Sequence, residues 1–233
     1  MSIIAGFAGI VALASAAGAP AVAPKDSDAS IVLVRHALKE CSGMQCDLKK
    51  KGHEQAARLG KITATLRAAG MTLGGVYSSS ACRTVLTVTP AADEAGLPVN
   101  EYEPRDGLGY CAFPGPGDLA ESRPSEAMRP KAGVTEGEGL SASRDALIAV
   151  IKAKAENAPD GDFALVADHS NYVCDWFRAL GVDPNSYANE CVTKDGWLAE
   201  TDYGDIYWLY DAKKGEGADW RLIVLEDAFG FDQ

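Results

Sequence analysis

Four residues that could hold or attack a phosphate group lie at or just beyond the ends of apolar segments in the sequence. Arg35 and His36 directly follow one apolar segment, His169 lies just after a second, and Arg83 lies a few residues after a third. Guanidinium groups bind phosphate oxygens through paired hydrogen bonds, and a neutral imidazole is a nucleophile for phosphorus. The chain has only three histidines, and we expect the third, His53, to be solvated and to have no role. The residue types and positions predict a cationic site for a phosphate dianion.

Six apolar segments have the length and composition of buried strands. Several are continuous rather than alternating, as expected for strands that are covered on both faces. These segments span residues 31–34, 74–79, 97–102, 163–167, 205–210 and 221–226. Between them, apolar residues recur at helical spacing, and these helical patterns span residues 47–69, 143–156 and 171–180.

Strands that alternate with helices predict an α/β fold. We expect a doubly wound, mostly parallel sheet flanked by helices, formed by a single domain over residues 29–233. Ligands of such sheets bind beyond the carboxyl ends of the strands. Arg35, His36, Arg83 and His169 all lie in that position, so the predicted fold and the predicted site agree.

A segment rich in glycine and proline interrupts this alternation at about residues 104–139. It has no helical or strand periodicity, and a loop of this length is uncommon inside a compact domain. Two interpretations stay open at this point: a lid or binding loop over the site, or a disordered insertion.

The charge balance limits the partners of the chain. The formal net charge is −11 and the sequence pI is about 4.7. An acidic surface repels phosphate backbones and anionic lipid, so nucleic acid is not an expected partner. A bound anion must therefore be held by a local cluster of positive side chains, and the expected partner is a small phosphorylated substrate.

The first 24 residues contain no Asp, Glu, Lys or Arg and are rich in alanine and other small residues. A short apolar stretch that leads into A-x-A sites is typical of a secretory signal peptide, which we place at residues 1–23. The chain is then exported, periplasmic or secreted, with no stable membrane association after cleavage. The alternative is an uncleaved membrane anchor, because the stretch is just long enough to span a bilayer.

The cysteines fit an oxidising compartment. An even count in an exported chain suggests disulfides, and six cysteines allow 15 pairings. Cys41 with Cys46 and Cys174 with Cys191 suit local bridges, and Cys82 with Cys111 would follow by elimination. The alternative is a cytosolic protein with six reduced, buried cysteines. No C-x-x-C pair is present, so a zinc site is not expected.

Three motifs occur in a fixed order: VRHA after the first strand, SSSACRT some 45 residues later, and VADHSN near residue 169. Together they resemble the histidine phosphatase superfamily, which has the phosphoglycerate-mutase-like fold. The segment DLKKKGHEQAARLG also resembles the part of that family that follows its first motif. The resemblance covers most of residues 31–180 and is closest to the small phosphatase-like members with RHA and HSN motifs.

This resemblance implies a phosphomonoesterase that needs no metal or other cofactor. His36 would attack phosphorus in line and form a phosphohistidine, which water then hydrolyses. Arg35, Arg83 and His169 would hold the phosphate oxygens and stabilise the transition state. The backbone N–H groups of the helix after His169 would contribute to the same anion site.

Three further residues are expected to bind the substrate. The hydroxyl groups of Ser79 and Ser170 would each donate a hydrogen bond to it. Lys39 would add a positive charge at the mouth of the pocket, with a solvent-facing position as its alternative.

The leaving alkoxide needs a proton, so a carboxylic acid is expected nearby. We predict Asp106 for this role, because it lies where the third strand should have ended, and Glu103 and Glu101 are the alternatives in the same region. Asp168 is a separate case, because many relatives with the HSN motif have glycine before the histidine. Its carboxylate would donate the proton, orient a neighbouring group or weaken phosphate binding.

Two other functions compete with a phosphomonoesterase. One is a phosphate-ester-binding module of the same fold that has little or no turnover and uses the glycine- and proline-rich loop for recognition. The other is a phosphoglycerate-type mutase, which export argues against because its substrates are intracellular. A metal hydrolase that uses the two histidines is a third, weaker alternative, and insensitivity to EDTA would exclude it.

Overall fold

Six strands form one sheet in the computed structural model, which describes residues 30–41, 43, 45–102, 111, 147–150, 161–199, 203–212 and 219–230. The strands are β1 (Ser30–Arg35), β2 (Thr72–Ser79), β3 (Val99–Tyr102), β4 (Asp162–Asp168), β5 (Ile206–Asp211) and β6 (Trp220–Leu225). Their order in the sheet is β3-β2-β4-β1-β5-β6. All six apolar segments of the sequence are therefore strands.

The direction of the strands divides the sheet into two parts. β1, β2, β3 and β4 are parallel to their neighbours in this group, whereas β5 runs antiparallel to β1 and β6 runs antiparallel to β5. The expected α/β fold with helices flanking a sheet is confirmed, and the sheet itself is mixed. Residues 212–219 alone separate β5 from β6 in the sequence, and this connection is too short for the crossover that a parallel pair needs.

Among the described residues, the helices α1 (Lys50–Ala68), α2 (Cys82–Ala95) and α3 (Ser170–Leu180) flank the sheet. The predicted helices at residues 47–69 and 171–180 correspond to α1 and α3. Of the predicted helix at residues 143–156, only 147–150 belong to the described part, and they are helical. Apart from Cys111, the glycine- and proline-rich loop lies outside the described residues, as does the predicted signal peptide.

Both faces of the sheet are covered, which explains the continuous apolar runs. Ile31 and Leu33 of β1 pack into the core cluster on the α3 side, whereas Val32 and Val34 pack into the cluster on the side of α1 and α2. All four side chains are at most 2% exposed. Successive side chains of a strand point to opposite faces, so a strand buried on both faces has no polar alternation.

The start of α1 packs against the segment that follows β1. A Cβ on Gly52 would be 2.1 Å from the carbonyl oxygen of Leu38, so only glycine permits this approach. The same carbonyl accepts a hydrogen bond from the Lys49 backbone N–H at 2.9 Å, and the Leu38 N–H donates to Gln55 Oε1 at 3.0 Å. The residues after the end of β1 are thus held in place by α1.

Disulfides join Cys41 to Cys46, Cys82 to Cys111, and Cys174 to Cys191. This is the pairing expected from the cysteine positions, and it uses all six cysteines. Within the described residues, no helix combines the length and apolar character that crossing a bilayer requires.

Candidate active site

The carboxyl ends of three neighbouring strands meet at one edge of the sheet. Arg35 at the end of β1 is in register with Asp168 at the end of β4, and β2 lies on the other side of β4. The chain that leaves these strands brings His36 and His169 together, with their ring centroids 5.4 Å apart at an interplanar angle of 66°. The two motif histidines therefore belong to one site.

His36 is held in a single orientation by the backbone. Its N–H donates to the Asp168 carbonyl at 2.9 Å, and its ring Nδ1 lies 2.8 Å from the Ala37 carbonyl oxygen. A carbonyl can only accept, so Nδ1 carries the proton and Nε2 has the lone pair. The Ala37 N–H in turn donates to Thr87 Oγ1 of α2 at 2.8 Å. The contacts leave Nε2 as the unprotonated nitrogen of this ring, the one that could act as a nucleophile.

The environment keeps the His36 imidazole neutral. The side chain is 3% exposed, and burial, assisted by the positive charges of Arg83, Arg35 and Lys39, lowers its pKa to about 3, although the Ala37 carbonyl opposes this shift. Desolvation and nearby cations both disfavour the imidazolium form. At neutral pH the lone pair of this nitrogen is therefore available for attack.

The guanidinium group of Arg35 is fixed by a segment that precedes β5. Its Nη1 donates to the Ala199 carbonyl at 2.7 Å, and its Nη2 donates to the Tyr203 hydroxyl at 3.1 Å. Its Cζ also lies 3.9 Å from the centroid of the Tyr203 ring. Neither Ala199 nor Tyr203 was expected from the sequence, because they lie in a non-periodic segment and follow no motif.

Arg83 enters the site from the first turn of α2. Its Nη1 donates to the Gly43 carbonyl at 2.6 Å, and Gly43 lies inside the ring closed by the Cys41–Cys46 disulfide. Burial lowers the pKa of Arg83, with the Arg35 charge adding to that shift and Tyr203 opposing it. Its Nε is buried and has no hydrogen-bond partner among the described residues.

His169 lies at the N-cap position of α3, opposite His36. Its Nε2 is 2.9 Å from Ser79 Oγ, and its Nδ1 is buried with no partner in the described part of the chain. Burial lowers the pKa of His169 well below its usual value, and the positive charges of Arg83, Lys39 and Arg35, together with His36, add to the shift. This imidazole is also neutral at neutral pH.

Ser79 lies beside His169. It is 3% exposed, and its hydroxyl contacts His169 Nε2 at 2.9 Å and Thr84 Oγ1 at 2.7 Å. A hydroxyl with two protein partners at these distances helps to orient the imidazole of His169. The hydrogen bond predicted from Ser79 to the substrate stays a prediction.

The other predicted ligands lie around the same edge. Ser170 is the first residue of α3 and is half-buried. Lys39 is half-buried in a β-bridge with Leu48, and its charge acts on both histidines of the site. The described residues contain no group of three or more His, Cys, Asp or Glu side chains that could hold a metal ion.

The carboxylates considered as proton donors are placed only in part. Asp106 and Glu103 lie outside the described residues. Glu101 is on β3 and is 2% exposed. Asp168 is 0% exposed, and its contacts address the three roles considered for it.

Both oxygens of the Asp168 carboxylate accept hydrogen bonds from protein groups. Its Oδ1 accepts from the His169 backbone N–H at 2.8 Å. Its Oδ2 accepts from Trp176 Nε1 at 2.8 Å and also from the Tyr102 hydroxyl. Of the three roles, these contacts match the orientation of a neighbouring group, because they fix the start of α3 and with it His169.

Sequence comparison places this chain in a known family. The profile of the histidine phosphatase superfamily (branch 1) matches residues 31–194, so the chain belongs to the histidine phosphatase superfamily and is an enzyme of the phosphatase class. No curated protein sequence matches the chain.

Solved structures are similar to this chain at low sequence identity. A mycobacterial glucosyl-3-phosphoglycerate phosphatase in complex with inorganic phosphate is 19% identical, with a TM-score of 0.51 over 86% of this chain and 98% of that chain. The SixA protein of Agrobacterium tumefaciens is 13% identical, with a TM-score of 0.49 over 84% of this chain and 96% of that chain. Bacillus stearothermophilus YhfR is 14% identical, with a TM-score of 0.45 over 86% of this chain and 96% of that chain.

Proposed function

We propose that this chain is an exported phosphomonoesterase that works without a metal and through a phosphohistidine on His36. The observation that carries the proposal is a neutral imidazole whose Nε2 lone pair is fixed beside two guanidinium groups. The hydrogen bond from Nδ1 to the Ala37 carbonyl at 2.8 Å sets the tautomer, and burial keeps the proton off Nε2. A nucleophile then lies beside the guanidinium groups of Arg35 and Arg83, which we call the clamp.

Two buried nitrogens near the clamp support a bound oxyanion. Arg83 Nε and His169 Nδ1 have no hydrogen-bond partner within the described part of the protein. Buried polar atoms in proteins are almost always paired, so such atoms call for a ligand or water. Phosphate oxygens are acceptors for an N–H at either position, and Arg35 and Lys39 add positive charge.

The proposed reaction has two displacements at phosphorus. In the first, His36 Nε2 bonds to phosphorus, the bond to the ester oxygen breaks, and an acid protonates the leaving alkoxide. We retain Asp106 for that acid, with Glu103 and Glu101 as alternatives. In the second, water bonds to phosphorus, the phosphorus–nitrogen bond breaks, inorganic phosphate leaves and the proton of water passes to the same carboxylate. The guanidinium groups supply the charge neutralisation that a metal would otherwise give.

The decisive experiment measures hydrolysis of p-nitrophenyl phosphate from pH 4 to 8 in EDTA. We expect activity in the wild type and in His53→Ala, since His53 is exposed and contacts Asp47, and no activity in His36→Ala. Rapid base quenching should trap a phosphoenzyme in the wild type and in His53→Ala but not in His36→Ala, and later treatment with acid should release its phosphate. A folded wild type with no activity that still binds inorganic phosphate would favour the binding module, and activity lost in EDTA would contradict the metal-free mechanism.

Export is proposed on two grounds. The three disulfides require an oxidising compartment to form and persist, and the charge-free N-terminus has the composition of a signal peptide. Cell fractionation with N-terminal sequencing of the mature chain tests this proposal. A reduced, full-length chain in the cytosol would contradict it.

A further inference from the structure

Tyr203 contacts the candidate active site from outside the family match. It lies just before β5, beyond residues 31–194 that the family profile covers. Its hydroxyl accepts a hydrogen bond from Arg35 Nη2 at 3.1 Å, and its ring lies 3.9 Å below the guanidinium carbon. Two different parts of one side chain therefore hold the Arg35 side chain, one by a hydrogen bond and one by a cation–π contact.

The same ring lies close to the proposed nucleophile. The centroids of the Tyr203 and His36 rings are 5.7 Å apart. Tyr203 thus adjoins two of the groups, Arg35 and His36, that surround the proposed position of the phosphate. It is half-buried, so the site does not enclose it completely.

The direction of the Arg35 hydrogen bond determines where the phenol proton can go. A guanidinium group has donors only, so the Tyr203 oxygen is the acceptor in this contact. Its own hydrogen must point elsewhere, and no acceptor for it is found among the described residues. An oxygen of a bound phosphate is an acceptor of suitable charge, and a hydrogen bond to an ionised acceptor is stronger than one to a neutral group.

We propose that Tyr203 is a further substrate-binding residue of this site: its ring positions the Arg35 guanidinium, and its hydroxyl donates a hydrogen bond to the phosphate group. This inference rests on the proposed phosphatase function for its kinetic effect, whereas its effect on phosphate binding does not require turnover. A role in packing alone would involve neither Arg35 nor the phosphate.

Two variants separate the parts of this proposal. Tyr203→Phe keeps the ring and removes the hydroxyl, and Tyr203→Leu removes both the ring and the hydroxyl. Tyr210→Phe is the matched control, because Tyr210 is a half-buried tyrosine on β5 with no role in the proposed site. The measurements are kcat and KM for p-nitrophenyl phosphate, the affinity for inorganic phosphate by calorimetry, and the thermal unfolding temperature.

For Tyr203→Phe we expect phosphate affinity and kcat/KM to fall about ten- to a hundredfold at an unchanged unfolding temperature, since one hydrogen bond to a charged group is lost. Tyr203→Leu should lose more, and Tyr210→Phe should match the wild type. In a double-mutant cycle, the fall in phosphate affinity caused by Tyr203→Leu should be smaller in the Arg35→Ala variant than in the wild type.

Three results would overturn the proposal. Wild-type phosphate affinity in Tyr203→Phe would exclude the hydroxyl contact. If Tyr203→Leu lowers phosphate affinity by the same factor with and without Arg35→Ala, Tyr203 does not position Arg35. If the unfolding temperature of the Tyr203 variants falls far enough to account for their weaker phosphate binding, Tyr203 contributes to packing alone. If the wild type binds phosphate but has no activity, the phosphatase proposal fails while the binding series still tests Tyr203.

Discussion

Replacing Asp168 by asparagine tests whether this carboxylate positions His169 or transfers a proton. Its Oδ1 accepts from the His169 backbone N–H, and its Oδ2 accepts from Trp176 Nε1, both at 2.8 Å. An asparagine side chain has one acceptor oxygen and one NH₂ group. In either amide orientation, its NH₂ therefore faces one of these two buried N–H donors.

The expected cost follows from that mismatch. A buried donor that loses its acceptor costs about 1–3 kcal/mol. The hydrogen bonds that remain in the variant are weaker, because their acceptor is neutral. Burying a neutral amide also costs less free energy than burying a carboxylate, so these two changes oppose each other. We expect Asp168→Asn to lower the free energy of unfolding by about 2 kcal/mol and the unfolding temperature by about 4–8 °C.

The assays combine chemical denaturation with hydrolysis of one ester that has a good leaving group and one that has a poor leaving group. A positioning role predicts that activity falls on both esters by the same factor, because the displaced His169 serves every substrate. The control is Asp175→Asn on the same helix, where the carboxylate contacts Arg178 at the surface and an exposed pair contributes about 0.2–1 kcal/mol. Unchanged stability, with activity lost only on the poor leaving group, would refute this reasoning and make Asp168 the proton donor.

Two further predictions concern pH and the disulfides. In the unfolded state, His36 takes up a proton below a pH of about 6.5, whereas its pKa in the folded state is about 3, so stability is lost as the pH falls between these values. In urea unfolding, the free energy of unfolding of His36→Gln should depend less steeply on pH than that of the wild type, by up to about 1.4 kcal/mol per pH unit. An unchanged slope would contradict the lowered pKa. The double variant Cys41→Ser with Cys46→Ser should bind phosphate about three- to tenfold more weakly by calorimetry. The reason is that the disulfide ring no longer holds the Gly43 carbonyl, which accepts a hydrogen bond from Arg83. Wild-type affinity in this variant would show that the disulfide ring does not support this contact.

Most of the sheet could be predicted from the sequence, because burial on both faces leaves a continuous apolar run. Residues 31–34 show this, since neighbouring side chains enter two different core clusters. The direction of the last two strands could not be predicted in this way. An apolar run has no polarity, and the connection before β5 contains α3, as a parallel crossover would, yet β5 runs antiparallel to β1.

The candidate site was predictable where it depends on strand ends and not where it depends on irregular segments. His36 and His169 come together because β1 and β4 are neighbours in a parallel pair. The partners of Arg35, which are Ala199 and Tyr203, lie in a stretch with no periodicity, and no pattern placed that stretch next to β1. The role of Asp168 depends on its tertiary contacts with Tyr102 and Trp176, which as sequence are indistinguishable from ordinary core residues.

The contacts of the two arginines fix their guanidinium groups before an anion binds. Arg35 donates to a carbonyl and a phenol oxygen, and Arg83 donates to the Gly43 carbonyl. These contacts cross between separate parts of the chain, because Ala199, Tyr203 and Gly43 all lie outside the strands and helices that carry the arginines. Burial lowers the pKa of Arg83, with the Arg35 charge adding to the shift and Tyr203 opposing it. Charges and dipoles that are already oriented before the substrate arrives stabilise a transition state with little reorganisation.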